Sequence, residues 1–224
     1  MNETQLGQEL ASAGVGLGPT EERRLIAHLD QVRRWNERLN LVADARVQEI
    51  VRRHLLDSLL GLRFVPHALS GFERVRVVDV GSGGGFPGLV AAVVQPGWEV
   101  TLVDSSAKKA AFLLGAADAM ELANVRVVRA RAEEMGRGLF ANESSFDLCL
   151  SRAVAPVTTL AALCGPLMRP GGVCVWWKGP GAALEIEQGT ESLKKQGLRP
   201  MGRYLYRLPG EDISRAIVLL MRLG

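Results

Sequence analysis

The sequence predicts an α/β fold in which a mostly parallel, seven-stranded sheet ends in an antiparallel hairpin and is preceded by a helical cap. Three observations predict this fold. Apolar positions in residues 1–65 recur only at helical spacing, and short β-branched runs alternate with helical stretches over residues 75–178. Two more strand-like runs, joined by a turn, lie in residues 202–222. Strands that alternate with helices imply right-handed crossovers and a parallel sheet.

The helical cap is predicted to span residues 1–65, and the sheet domain residues 66–224. After a short leading helix, apolar residues over 25–39 recur at helical spacing, with Thr20 placed to cap the start. A second helix is expected over residues 47–62. The 224-residue length suits one sizeable core with such an appended helical segment.

The strands of the sheet domain are predicted from short apolar runs. The first, residues 75–80, is β-branched and is stopped by glycines, as a buried parallel strand should be. The other strands are expected at residues 98–104, 125–129, 146–151, 173–178, 202–208 and 213–222. The helices between the parallel strands are expected at residues 88–94, 107–122, 132–136 and 157–168.

Composition predicts a globular cytoplasmic protein. Hydrophobic residues make up 47% and charged residues 23% of the chain, which excludes a disordered protein. The excess positive charge lies in residues 178–224, where it suits phosphate contacts and ordinary solvated charge equally. Cys149, Cys164 and Cys174 are odd in number and lie in apolar runs, which indicates buried thiols and neither a disulfide nor a metal site. No run has the length of a membrane span, so we expect no membrane contact.

A glycine-rich turn follows the first strand. Ligands of open parallel sheets bind beyond the carboxyl ends of the strands. Gly81, Gly83 and Gly85 permit positive φ and lack the Cβ atoms that would hold a nucleoside away from the backbone. Asp104, at the end of the second strand, can accept hydrogen bonds from both ribose hydroxyls, and Ser105 beside it is a further candidate. A carboxylate that caps the next helix is the alternative for Asp104.

Two cofactors are compatible with this turn. Residues 83–88 match the glycine spacing of the dinucleotide fingerprint, so an NAD-dependent oxidoreductase stays open. S-adenosylmethionine is favoured by Asp79, which directly precedes the turn and can face an ammonium group. It is also favoured by Ala132 and Glu133, placed after the third strand where methyltransferases hold adenine, and by the Pro-Gly-Gly turn at residues 170–172. Alternatively, Asp79 only ends the strand, and Glu133 only interacts favourably with the dipole of the helix that begins there.

Eight segments resemble one family and occur in its order along almost the whole chain. They are Trp35-Asn36-Glu37-Arg38-Leu39-Asn40-Leu41, His54-Leu55-Leu56-Asp57-Ser58, the run from Asp79 to Gly88, Leu102-Val103-Asp104-Ser105, Lys108-Lys109, Arg131-Ala132-Glu133-Glu134, Ser151-Arg152-Ala153 and Lys178-Gly179. The chain thus resembles the bacterial small-subunit ribosomal RNA guanine-N7 methyltransferases, also called glucose-inhibited division protein B. It departs from them at Gly84 and Phe86, where relatives often have Pro and Leu.

The resemblance implies a class I, Rossmann-like fold and transfer of a methyl group from S-adenosylmethionine to N7 of one guanine in 16S rRNA of the small ribosomal subunit. It implies cofactor contacts at Gly81, Phe86, Ala132, Glu133 and Arg152. Guanine N7 has a lone pair and no proton, so in-line attack needs no general base and positioning should set the rate. We expect a monomer without a metal. A non-catalytic RNA-binding or ribosome-assembly protein stays open as an alternative.

Arg152 and Lys178 are the candidate catalytic residues. Arg152 ends the fourth strand, where its planar fork of donors can contact the cofactor, guanine O6 or phosphate. Lys178 ends the fifth strand and can engage RNA phosphate. Alternatively, Arg152 is an ordinary surface arginine, and Lys178 is an ordinary lysine at the end of a strand.

Further candidates for RNA contact lie on the cap and on charged segments. His54, Asp57 and Ser58 share one helix face, where they can touch RNA, dock the cap or form a local network. Four basic residues are candidate phosphate contacts or ordinary solvated charges: Lys108, Lys109, Arg203 and Arg215.

Overall fold

The computed structural model describes residues 1–65, 74–135, 146–152 and 154–224, except for the side chain of Ala132. The strands are β1 (Val75–Val80), β2 (Trp98–Asp104), β3 (Val125–Arg129), β4 (Phe146–Arg152), β5 (Met168–Lys178), β6 (Leu198–Tyr206) and β7 (Arg215–Arg222). They form one sheet in the order β3-β2-β1-β4-β5-β7-β6. Strands β1 to β5 pair in parallel, and β7 is antiparallel to both β5 and β6. The predicted α/β fold with a closing hairpin is confirmed.

Helices cover both faces of the sheet. They are α1 (Glu3–Ser12), α2 (Pro19–Leu39), α3 (Val47–Ile50), α4 (Leu56–Leu62), α5 (Gly88–Val94), α6 (Ala107–Ala119), α7 (Ala132–Met135), α8 (Val157–Cys164), α9 (Ala182–Gln188) and α10 (Thr190–Lys195). Helices α1 to α6 pack with Val77 of β1 on one face, and α7 to α10 pack with Val78 on the other. Burial of both faces explains why the central strands are almost continuously apolar.

The second cap helix contains a π-helical segment. The sequence predicts one helix over residues 47–62, and the structure places the π-helical Val51–Leu55 between α3 and α4. Helix α4 then lies directly on β5, since a Cβ on Gly61 would be 2.2 Å from Nε1 of Trp177. That nitrogen donates to the Asp57 carbonyl at 2.9 Å. Residues 51–57 are therefore held at the carboxyl edge of the sheet.

Several predicted boundaries were wrong. Thr20 is not the N-cap of α2, because Pro19 takes the first helical position and Gly18 precedes it as the N-cap. The Gly18 N–H donates to the Glu21 carboxylate at 2.5 Å. Strand β5 begins at Met168 and β6 at Leu198, both earlier than predicted. Other boundaries also differ from the predictions: β7 begins at Arg215, α6 ends at Ala119, α8 ends at Cys164 before a 3₁₀ turn, and α9 and α10 have no predicted counterpart.

The remaining predictions on the fold have different outcomes. The three cysteines are free and buried, as predicted. The predicted end of α7 at residue 136 lies outside the described residues. The division at residue 65 into a cap and a sheet domain stays a prediction. Across the described parts of the chain, no helix has both the length and the apolar character that a membrane span needs.

Candidate functional site

A cavity of about 580 Å³ opens at the carboxyl ends of β1, β2 and β4. Strand β1 lies between β2 and β4, so the cavity is at the point where the strand order reverses, the usual ligand position in such sheets. Its volume suits a nucleoside-sized ligand. Predicted site residues that line it are His54, Gly81, Gly83, Phe86, Asp104, Ser105, Lys109, Glu133 and Arg152.

Bare backbone forms one wall of this cavity. Gly81 and Gly83 have φ values of 74° and 53°, which side-chain-bearing residues rarely adopt. A Cβ on Gly81 would lie 2.5 Å from Cγ2 of Val154. The N–H groups of Gly81 and Ser82 donate to the Val103 carbonyl at 2.9 and 3.0 Å, so the turn is anchored to β2.

Asp79 lies beneath the turn and is 1% exposed. Its Oδ2 accepts the Gly88 N–H at 3.1 Å, which ties the start of α5 to β1. A Cβ on Gly88 would lie 2.4 Å from Cδ2 of Leu102 and 2.5 Å from Oδ2 of Asp79. Burial raises the pKa of the Asp79 carboxyl to about 7, against the opposing effect of the Gly88 hydrogen bond. Asp79 therefore supports the turn from beneath.

Asp104 is 9% exposed at the cavity wall. Its Oδ2 accepts the Gly83 N–H at 3.0 Å, and its Oδ1 accepts the Ser106 N–H at 2.9 Å. Ser106, and not Asp104, is the N-cap of α6, because its hydroxyl accepts the Lys109 N–H at 3.4 Å. Each oxygen of Asp104 therefore keeps acceptor capacity for a ribose hydroxyl.

Arg152 is held on three sides by the π-helical segment and α4. Its Nε lies 2.7 Å from Oδ2 of Asp57, and its Nη2 donates to the Arg53 carbonyl at 2.7 Å. Its Nη1 lies 3.1 Å from Nδ1 of His54. Nη1 and Nη2 each use one N–H in these contacts and Nε is ion-paired with Asp57, so one N–H on each terminal nitrogen is left for a ligand within the described part of the chain.

His54 is a neutral hydrogen-bond acceptor toward Arg152. A guanidinium can only donate, so Nδ1 of His54 accepts and its Nε2 carries the proton. Burial and, after it, the charge of Arg152 lower the pKa of His54 to about 3. His54 is therefore uncharged at neutral pH, and its lone pair is occupied.

Asp57 is the centre of a buried ionic network and is 1% exposed. Its Oδ2 lies 2.7 Å from Nε of Arg152 and 3.3 Å from Nη1 of Arg215. The Tyr206 hydroxyl donates to its Oδ1 at 2.5 Å. Helix α4 and strands β4, β6 and β7 thus meet at one carboxylate. Ser58, one residue further on, is fully buried and donates to the His54 carbonyl at 2.7 Å.

A second cavity of about 620 Å³ lies on the other side of Arg152. It is lined by Arg53, Asp57, Lys178, Tyr206, Glu211 and Arg215, among others. Lys178 is bound on two sides here: its Nζ lies 2.6 Å from Oε2 of Glu185 and donates to the Ala155 carbonyl at 2.9 Å. Arg152 is a wall of both cavities.

The remaining predicted residues differ in their distance from these cavities. Lys109 is partly buried at the first cavity, whereas Lys108 and Arg203 are exposed on α6 and β6. Gly85 has a φ of 85° and packs against Leu89 and His28. The side chain of Ala132 lies outside the described part of the structure.

Three residues of the site were not expected from the sequence: His28, Tyr206 and Glu211. His28 is fully buried, and its Nε2 lies 2.7 Å from the Gly84 carbonyl. Its only sequence signal was a polar residue at a buried position of α2, which does not identify a partner 56 residues away. A search of the described residues finds no group of three or more His, Cys, Asp or Glu that could hold a metal ion.

The comparisons with known proteins agree with this geometry. Residues 21–203 match the GidB family model, described as rRNA small subunit methyltransferase G. Proteins of that name from Symbiobacterium thermophilum and Bordetella avium are 40% and 34% identical to the chain. Each match covers 97% of this chain, and they cover 88% and 92% of the relatives.

The fold is shared with solved structures, one of which is named as a methyltransferase. A predicted O-methyltransferase from Agrobacterium tumefaciens aligns with a TM-score of 0.55 at 20% identity, over 75% of this chain and 81% of that one. A mutant of MtNAS in complex with S-adenosylmethionine aligns with a TM-score of 0.57 at 15% identity, over 99% and 78% of the chains. The chain is an S-adenosylmethionine-dependent methyltransferase, and it belongs to the rRNA small subunit methyltransferase G family.

Proposed function

We propose that this enzyme methylates N7 of a specific guanine in 16S rRNA of the small ribosomal subunit, by in-line attack of the ring nitrogen without a general base. The observation that supports this most strongly is the position of Arg152. Its guanidinium is fixed on three sides in the wall between a cavity suited to the cofactor and a second cavity, lined in part by charged side chains, that suits the target base.

The residues of the first cavity fit S-adenosylmethionine, which when bound supplies a methyl group activated by a sulfonium. The bare backbone at Gly81 and Gly83 allows close approach of a ligand, and Asp104 presents a carboxylate to a ribose diol. Ser105, Phe86 and the segment at Ala132 and Glu133 complete the proposed pocket. Asp79 and Gly85 act from behind the turn by holding its shape.

The second cavity is the proposed place of the target guanine. Bases inside RNA helices are poorly accessible, so we propose that the guanine is unpaired or flipped when it enters. The two remaining N–H groups of Arg152 suit guanine O6, which is adjacent to N7 on the same edge of the base. Lys178 and Arg215 hold the cavity walls through their carboxylate partners, and phosphate contacts are proposed at Lys108, Lys109 and Arg203.

The groups beside Arg152 already have hydrogen-bond or ionic partners, which supports attack by an atom that carries no proton. Nδ1 of His54 is occupied by Arg152, and burial lowers the pKa of this imidazole to about 3. Both carboxylate oxygens of Asp57 already accept hydrogen bonds or pair with arginines. Neither group is available to remove a proton from an exocyclic amine, whereas N7 requires no such removal.

Mapping of the methylated base tests this proposal. We expect methyl-labelled S-adenosylmethionine to transfer its label to small subunits or 16S rRNA from a strain that lacks the modification. Digestion should release the label as 7-methylguanosine, at one position that borohydride and aniline cleave. Label in any other methylated nucleoside contradicts the N7 assignment. No label, together with cofactor binding by calorimetry, favours the non-catalytic RNA-binding alternative.

Replacement of Asp104 by alanine should weaken binding of S-adenosylmethionine by about 1–3 kcal/mol, because ribose hydroxyls lose their acceptor and the Gly83 N–H loses its partner. Titration calorimetry without RNA measures this. Asp118→Ala, on the exposed side of α6 and away from the cavity wall, is the control and should leave the affinity unchanged. Equal affinities of wild type and Asp104→Ala would show that the ribose does not lie at Asp104.

A further inference from the structure

A buried histidine of helix α2 contacts the glycine turn. His28 is fully buried, and its Nε2 lies 2.7 Å from the Gly84 carbonyl. Its ring centroid is 4.5 Å from that of Phe86, which follows the turn and lines the cofactor cavity. The His54 ring is also near Phe86, with 5.4 Å between the two ring centroids. The turn is therefore supported from outside the sheet domain by the cap.

The hydrogen bond has a fixed direction. A carbonyl only accepts, so Nε2 of His28 carries the proton and donates it to Gly84. Burial lowers the pKa of His28 to about 4, so the ring is neutral at pH 7. Nδ1 is then a buried acceptor with no hydrogen-bond partner among the described residues. Among these residues, the ring therefore makes its hydrogen bond to Gly84 alone.

Gly84 is the part of the turn that most needs this support. Its neighbours are tied by their own N–H groups: Gly83 to the Asp104 carboxylate at 3.0 Å and Gly85 to the Ser82 carbonyl at 2.7 Å. Gly84 does not have a positive φ, and a Cβ there would meet no atom closer than 3.5 Å. Sterics therefore do not require glycine at this position, and the freedom of Gly84 has an entropic cost when the turn is ordered.

We propose that His28 is a positioning residue for S-adenosylmethionine binding, which fixes the Gly84 carbonyl and the Phe86 ring and so offsets the flexibility that glycine introduces at position 84. His28 is not expected to touch the cofactor. It acts through the turn, and it makes helix α2 part of the cofactor site. Loss of the contact should weaken cofactor binding and leave the chemistry of bound cofactor nearly unchanged.

Calorimetry and kinetics on His28 variants test the contact. We expect His28→Leu to raise the Kd and KM for S-adenosylmethionine about tenfold, with kcat at saturating cofactor within about twofold of wild type. His28→Gln should restore most of the affinity because its amide N–H can reach the Gly84 carbonyl, whereas the shorter His28→Asn should not. Val32→Ala, also buried on α2, is the control for lost stability and should leave the Kd unchanged.

A double-mutant cycle with Gly84→Pro tests the reason for the contact. Proline restricts φ, so it should recover most of the affinity lost in His28→Leu and change the affinity of the wild type little. If His28→Leu does not fold, the Gln and Asn variants carry the comparison. Equal Kd values for these two, or a Kd for Val32→Ala raised as much as theirs, would overturn the positioning role. If His28→Leu raises the Kd for S-adenosylmethionine by the same factor with and without Gly84→Pro, the contact does not offset glycine flexibility.

Discussion

Arg152→Lys should lower kcat for rRNA methylation by about 100-fold or more, while the Kd for S-adenosylmethionine rises by less than about tenfold. Lysine keeps the charge but presents one compact ammonium group. It cannot bond the Asp57 carboxylate, the His54 nitrogen and the Arg53 carbonyl together and still direct two N–H groups at a ligand. Single-turnover methylation at saturating cofactor, with calorimetry on the same preparation, separates the two effects.

Arg169→Lys is the matched control for this variant. Arg169 of β5 pairs through Nε with Asp147, at the opposite end of β4 from Arg152. Both substitutions thus change an arginine of the sheet that pairs through Nε with an aspartate, and only Arg152 lies at the cavities. We expect Arg169→Lys to retain near-normal turnover. Turnover of Arg152→Lys within threefold of wild type would remove Arg152 from the catalytic centre.

The centre of the fold could be predicted from the sequence, and its edge could not. Strand β1 is β-branched and stopped by glycines, and its buried faces leave a continuous apolar run that is easily recognised. Strand β6 is mostly exposed after Leu198, so no alternation marks its start. Helices α9 and α10 have seven and six residues, which is too short for a helical period to be distinguished from a loop.

The site was predictable where local sequence determines it. The glycine turn and Asp104 follow strands directly, so their place at the carboxyl edge follows from the topology. Contacts such as His28 with Gly84, or Tyr206 with Asp57, join residues 56 and 149 positions apart. They depend on how helices pack on the sheet. The π-helical segment that aims Arg53 and His54 at Arg152 has no local sequence signature either.

Two candidate cations have carboxylate partners that the sequence did not indicate. Lys178 and Arg215 were candidates for phosphate contact, and the structure pairs Lys178 with Glu185 and Arg215 with Asp57 and Glu211. A phosphate would have to compete with these carboxylates in a partly desolvated site. The second cavity is therefore better suited to orient an uncharged base through fixed donors than to attract the RNA backbone.

Asp57→Asn should lower the free energy of unfolding by about 3–5 kcal/mol, because it removes the negative charge from a buried ionic network. Two guanidinium groups, those of Arg152 and Arg215, converge on the same Oδ2 atom at 2.7 and 3.3 Å. An amide cannot neutralise them, so they should separate. Urea unfolding monitored by tryptophan fluorescence measures the loss of stability, and methylation assays should show at least about a tenfold lower kcat because Arg152 loses its Nε partner.

Two controls separate charge from hydrogen bonding in this network. Tyr206→Phe removes one donor to Asp57 and keeps all three charges, so it should cost about 1–2 kcal/mol and leave Arg152 in place. Glu49→Gln removes a carboxylate that pairs with Arg52 and Arg53 nearer the surface, and should cost less than about 1 kcal/mol. If Asp57→Asn is no more destabilising than Glu49→Gln, the carboxylate is not what holds the two arginines together. The fixed geometry of Arg152 would then have to depend on His54 and the Arg53 carbonyl alone.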